Sequence, residues 1–204
     1  MSNQKDTYKT ITKPSSEILY KEKGSKFFGY AFPVTNEAAI KQHLIELKKL
    51  HHNARHWCYA WQLGKEYSSY RANDDGEPSN SAGMPIYGQI KAFDLTNVLV
   101  VVVRYFGGTK LGVSGLITAY KTTAKMALQN SNIIEKTIDE EFLLTFNYPE
   151  MNAVMRIIKE EKLKIIKQQL EEICKITISV RKKDSERIFR VFNNTYKVAV
   201  KKKK

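Results

Sequence analysis

The sequence predicts an α+β protein of two domains, residues 1–136 and 137–204. Three observations carry that prediction. Val98 to Val103 is an uninterrupted run of strand-forming residues that leads through a glycine-rich turn into a helical period. A second run of segments, in the order β-α-β-β-α, follows Thr137. The 204 residues suffice for two small domains, each with its own core.

The elements follow in chain order. Glu17 to Lys23 and Lys26 to Val34 read as the strands of a hairpin around Gly24-Ser25, with Phe27, Phe28 and Tyr30 supplying aromatic mass. Asn36 to Leu50 reads as an amphipathic helix, because Ala39, Ile40, Leu44, Leu47 and Leu50 fall on one side. His56 to Trp61 alternates strictly: His56, Cys58 and Ala60 share one strand face, and Trp57, Tyr59 and Trp61 share the other. A stretch of about twenty residues without helical or strand period comes next, long enough inside a compact domain to suggest function. It contains Asn73 to Pro85, NDDGEPSNSAGMP, stiffened by Pro78 and Pro85. Ala82 to Phe93 reads as a helix entered through Pro85.

Val98 to Val103 has no polar interruption, as expected of a strand covered on both faces, and its burial is predicted to end at Arg104. From Gly107 to Gly115 four glycines free the backbone to turn sharply and to present N–H groups at close range. Leu116, Ala119, Tyr120, Thr123 and Ala127 then recur at helical spacing, so Val113 to Asn130 is a helix whose N-terminus opens at the loop and favours anions. Two familiar catalytic loops are excluded. Gly107 to Gly112 has the spacing of a phosphate-binding P-loop, but Val113-Ser114 replaces its Lys-Ser/Thr pair, and Gly-Val-Ser-Gly-Leu around Ser114 is not a hydrolase nucleophile elbow.

In the second domain Phe142 to Phe146, Leu163 to Gln169 and Cys174 to Arg181 read as strands. Pro149 to Glu160 reads as a helix with proline at its start, and Ser185 to Asn194 as a helix with Ile188, Phe189 and Phe192 inward. With Lys197 to Val200 as a final strand, the order suits a ferredoxin-like fold. No catalytic constellation stands out in it.

Charge is a separate line of reasoning. The formal net charge is +13, and both halves contribute: residues 1–136 carry 18 Lys and Arg against 11 Asp and Glu, and residues 137–204 carry 16 against 10. A charge spread in this way attracts phosphate backbones without specifying which polyanion. No apolar run approaches a membrane span and MSNQKDTYKT has no apolar signal core, so a cytoplasmic protein is expected. The two cysteines, Cys58 and Cys174, form neither a disulfide framework nor a zinc spacing.

An HxCxA strand at His56, DDGEPS at Asp74 with AGxP at Ala82, and VVVRYFGGTKLG from Val101 running into a helix together resemble the IMPACT/YigZ family of small two-domain proteins. The resemblance covers about Ser15 to Asn130, and the C-terminal third is similar to bacterial members in length and pattern. The chain departs from the family at Asn80-Ser81, where members often read Gly-Thr, and at Ser114, where a further glycine is common. The resemblance implies an N-terminal βα domain like ribosomal protein S5 domain 2 and a ferredoxin-like C-terminal domain like the last domain of elongation factor G. It also implies a connection to the ribosome or to structured RNA, and in eukaryotic relatives to regulation of translation initiation through a protein partner.

Three functions are weighed on these residues. In a non-enzymatic RNA- or ribosome-binding protein that modulates translation, Arg104, Lys110 and the loop N–H groups of Gly107, Gly108 and Thr109, in a turn completed by Gly112, would hold phosphate. Tyr105 or Phe106 would stack on an unpaired base, the other ring belonging to the core. The structural role open to Arg104 is a salt bridge to Asp74 or Asp75 that pins the long loop. In an enzyme acting on a phosphorylated or nucleotide substrate, Asp74, Asp75 and Glu77 would hold Mg²⁺ and His56 would act as acid or base. In a protein-interaction module, the acidic loop would be an epitope for a partner in a translation-factor or kinase pathway.

Overall fold

A computed structural model describes residues 6–203. The chain divides into two compact units, one over Tyr8–Lys136 and the other over residues 137–203 together with Asp6 and Thr7.

Strand β1 (Thr7–Ile11) enters the first unit at Tyr8, followed by β2 (Ile18–Glu22) and β3 (Ser25–Pro33). Lys23 and Gly24 link β2 to β3 in a two-residue turn, both with positive φ, the geometry whose twist matches that of the flanking strands. Helix α1 (Glu37–Leu50) is capped by the Asn36 side chain, which accepts the Ala39 N–H. Then come β4 (His56–Leu63), β5 (Ser69–Asn73), α2 (Gly83–Ala92), β6 (Val98–Tyr105), α3 (Gly112–Gln129) and β7 (Ile133–Thr137).

Five of these strands form one sheet in the order β2-β3-β6-β4-β5, with every neighbouring pair antiparallel, while β1 pairs with β7. Val98, Val100 and Val102 of central strand β6 face α2 and α3, against Ile86, Ile90, Leu116 and Tyr120. Leu99, Val101 and Val103 face the other way, against Ile40 and Leu47 of α1. All six are fully buried, which explains why the run carries no polar residue.

Sequence periodicity missed β1, β5 and β7. Strand β5 lies in the stretch that reads as aperiodic, and its residues are mostly exposed at the sheet edge, so no apolar alternation marks it. The predicted end of burial at Arg104 is also corrected: β6 continues to Tyr105 and Arg104 is only 5 % exposed.

The second unit runs β8 (Asp139–Asn147), a single 3₁₀ turn at Tyr148–Glu150, α4 (Met151–Glu160), β9 (Lys164–Gln169), β10 (Ile173–Arg181), α5 (Ser185–Asn193) and β11 (Ala199–Lys202). Its sheet order is β11-β8-β10-β9, so the two central strands are the first and third, as in the predicted ferredoxin-like fold. Phe142, Leu144, Phe146, Ile176 and Ile178 pack beneath Val154, Ile158, Ile188 and Phe192 of the two helices. Phe189, predicted inward, is partly exposed at the side of α5. Among the described residues no helix is long and apolar enough to cross a membrane.

Candidate functional site

Strand β6 carries Arg104 into the space between β3 and β4, opposite Phe27 on one side and His56 on the other. Its side chain shares the face of Val98, Val100 and Val102, and is therefore covered by the α3 side of the unit. One guanidinium nitrogen lies 2.7 Å from Glu77 Oε1, and a second reaches Ser25 Oγ at 3.4 Å. Tyr120, on α3, donates its hydroxyl to the same Glu77 oxygen at 2.7 Å. The rings of Phe27 and Phe106 flank the guanidinium, with centroids 5.4 and 5.6 Å from its central carbon. The glycine-rich turn and the acidic loop thus meet, but as a buried ion pair and not as an open pocket. This corrects the picture of Arg104 as a free phosphate ligand, and the partner that pins the loop is Glu77 instead of Asp74 or Asp75.

The rest of the acidic loop holds itself together through its carboxylates. Asp74 Oδ1 accepts the N–H groups of Ala82 and Gly83 at 2.9 and 2.8 Å, satisfying the first donors of α2, and Oδ2 accepts the Asn80 N–H at 2.9 Å. Asp75 Oδ2 accepts the Trp57 N–H at 2.8 Å, and its carbonyl accepts from His56 Nδ1 at 2.9 Å. Cys58 donates its thiol to the Asp74 carbonyl at 2.9 Å. Burial pushes both the Cys58 thiol and the Tyr120 phenol well above their ordinary ranges, so both remain protonated donors.

Mg²⁺ does not fit these groups. Asp74, Asp75 and Glu77 aim their oxygens at separate protein donors, and among the described residues no three His, Cys, Asp or Glu side chains are grouped to hold a metal. His56, the candidate acid or base, spends Nδ1 on the loop carbonyl and so orients the loop.

The glycine loop itself is exposed from Phe106 to Lys110. Gly107 crosses the β2–β3 turn so closely that a Cβ there would lie 1.9 Å from the Gly24 carbonyl carbon, and its N–H donates to Ser25 Oγ at 3.2 Å. Gly108 and Gly112 have φ of 86° and 72°, and both have open space where a side chain would be. Thr109 and Lys110 are exposed, and α3 begins at Gly112 with no side chain capping its first N–H groups. Tyr105 points to the α1 side, where its hydroxyl is 3.0 Å from His51 Nδ1 and its ring packs edge-on to Phe28. Tyr105 is therefore the core ring of the aromatic pair, and Phe106, 43 % exposed, is the one available for stacking.

Sequence reasoning missed the contribution of Gly24 and Ser25 beneath the loop, and that of Tyr120, which reads only as a core position of α3. Two signals were present: Lys23-Gly24 is suited to a two-residue turn, and a tyrosine on a buried helix face needs a partner for its hydroxyl.

Residues 23–128 match the family model of the Impact N-terminal domain. The chain is 29 % identical to IMPACT family member YvyE of Bacillus subtilis, over 88 % of this chain and 82 % of that one. It is 30 % identical to an IMPACT family member of Haemophilus influenzae, over 85 % and 86 % of the two chains. A crystal structure of a hypothetical protein shares the fold, with a TM-score of 0.71, 23 % identity and coverage of 96 % of this chain and 97 % of that one.

Proposed function

The chain belongs to the IMPACT family, and from that premise we propose that it is a non-enzymatic, cytoplasmic RNA- or ribosome-binding protein that modulates translation. The observation that carries the reading is the exposed loop from Phe106 to Lys110, mounted on the buried Arg104–Glu77–Tyr120 network and opening onto the uncapped start of α3. Such a loop offers Lys110 and backbone N–H groups to a phosphate, and Phe106 to an unpaired base. Arg104 contributes by holding the loop in place. The excess of positive charge in both halves supports the same class of partner.

Fractionation of cell extract on sucrose gradients at low and high salt tests this. The wild type is expected in ribosomal fractions at low salt and at the top of the gradient at high salt, with Lys110→Ala and Phe106→Ala moving toward the top already at low salt. A wild-type protein that stays at the top in both salts would overturn the reading.

One observation favours a protein partner in translation control instead. Val113 and Ile117, one turn apart on α3, are exposed close in sequence to Phe106, and apolar side chains at helical spacing suit a protein surface better than a phosphate backbone. Association that survives nuclease treatment but is lost in Val113→Asp would favour this second reading.

A further inference from the structure

In the second unit α4 and α5 cover one face of the sheet, against Phe142, Leu144, Ile176 and Ile178. Alternate residues of the same strands point to the helix-free face. The register lines up Lys201 of β11, Leu143 of β8, Thr177 of β10 and Lys167 of β9 in one row across the sheet. Lys175 lies in the next row on one side, and Lys164, opposite Ser179, in the next row on the other. These four lysines are exposed, and among the described residues none is paired with a carboxylate.

One acid stands within the band and the others at the ends of the strands. Glu141 shares the row of Ser179 and Lys164, where Lys203 approaches it at 3.7 Å, and Asp139 lies at the strand end, where Arg181 bonds Asp6 at 2.6 Å. Glu171 and Glu172 occupy the β9–β10 turn at the other end. The lysines therefore form a band that crosses the strands, roughly 14 Å wide from three inter-strand spacings of about 4.8 Å. Between its cations the floor is made of Leu143, Ala199, Thr145 and hydroxyl groups, Ile173 is exposed on the same face at the strand end beyond the band, and no aromatic ring lies on this face of the four strands.

We propose that this lysine band binds the phosphate backbone of base-paired RNA, laid across the strands. Unpaired ammonium groups and hydroxyls match phosphate and ribose, and the lack of a stacking ring leaves no means of holding a splayed base. Inside the band the apolar side chains are Leu143 and Ala199 among four cations, whereas a protein interface would need a desolvated apolar centre; Ile173 lies beyond the band at the strand end. The carboxylates at both strand ends oppose a polyanion lying along the strands. The inference rests on the reading of the chain as an RNA-binding protein and adds a second contact surface to it.

The test measures affinity of the full chain for an RNA hairpin over a salt series, comparing the wild type with Lys164→Gln/Lys167→Gln/Lys175→Gln/Lys201→Gln and, separately, with Lys110→Ala/Phe106→Ala. Loss of four phosphate contacts is expected to flatten the slope of log K against log salt by about 3.6, whereas the loop variant keeps most of that slope. Acetylation footprinting of the wild type supplies a readout independent of any variant's folding: RNA should protect the four lysines. An unchanged slope in the fourfold variant, or equal acetylation with and without RNA, overturns the band while leaving the loop reading intact. A wild type that binds no RNA at all overturns both.

Discussion

Taking the Arg104 guanidinium out of water costs several kcal/mol, which Glu77, the Tyr120 hydroxyl and two flanking rings offset only together. Glu77→Gln is therefore expected to destabilise the first unit by about 3–5 kcal/mol, read as a lower urea midpoint followed by tryptophan fluorescence, because it leaves a buried charge without its partner. Exposed Lys110→Ala should stay within about 0.5 kcal/mol of the wild type. If Glu77→Gln unfolds at the wild-type midpoint, the ion pair is not what fastens the two loops. The buried thiols give a second residue-level prediction. Cys58 is held as a neutral thiol by burial and Cys174 is equally inaccessible, so neither should react with a maleimide at pH 8 until the protein is unfolded. His51 gives a third. Its Nε2 meets the Tyr30 hydroxyl at 2.6 Å, and burial lowers its pKa from 6.5, an effect partly opposed by the Glu17 carboxylate. The unfolded chain then binds the proton more readily, so this contribution to stability is complete above pH 6.5 and is lost as pH falls from there through the lower folded value. His51→Gln should flatten the slope of stability against pH in that window, and an equal slope in both proteins would remove His51 from the account.

The β2–β3 hairpin and the loop after β6 act as one assembly, since Gly107 crosses the Lys23-Gly24 turn with no room for a side chain. Gly107→Ala must push two backbones apart, whereas Gly108→Ala meets only open space and the strain of a positive φ. The first is expected to cost about 1–3 kcal/mol or more and to weaken RNA binding, the second about 1 kcal/mol. Equal urea midpoints for the two variants would mean that the hairpin does not set the loop. Elements were legible in the sequence where burial marks it. Val98 to Val103, buried on both faces, reads as an unbroken apolar run, while Asn36 to Leu50 and the β-α-β-β-α order of the second unit lie where packing of one face imposes a period of 3.6 or 2. Strand β5 was not, because an exposed edge strand is held by backbone hydrogen bonds to β4 and needs no apolar alternation.

At the scale of the molecule, a net charge of +13 with cations in both halves predicts that any RNA complex is salt-sensitive. Affinity for an RNA hairpin should fall at least tenfold between about 50 and 200 mM salt, and a salt-independent affinity would point to an apolar protein interface in its place. The sequence alone determined what depends on near neighbours in the chain or on composition. The run of six apolar β6 residues, the helical spacing of α3, the glycines that allow a sharp turn and the basic balance all fall in that class. Tertiary structure alone decided which carboxylate Arg104 meets and whether the pair faces water. That choice joins Ser25, Glu77, Arg104 and Tyr120 from four distant segments, and the path of the acidic loop selects it through the backbone N–H groups that Asp74 and Asp75 accept. Spacing along a chain reports which face a side chain takes, but it carries no information about which remote partner waits there.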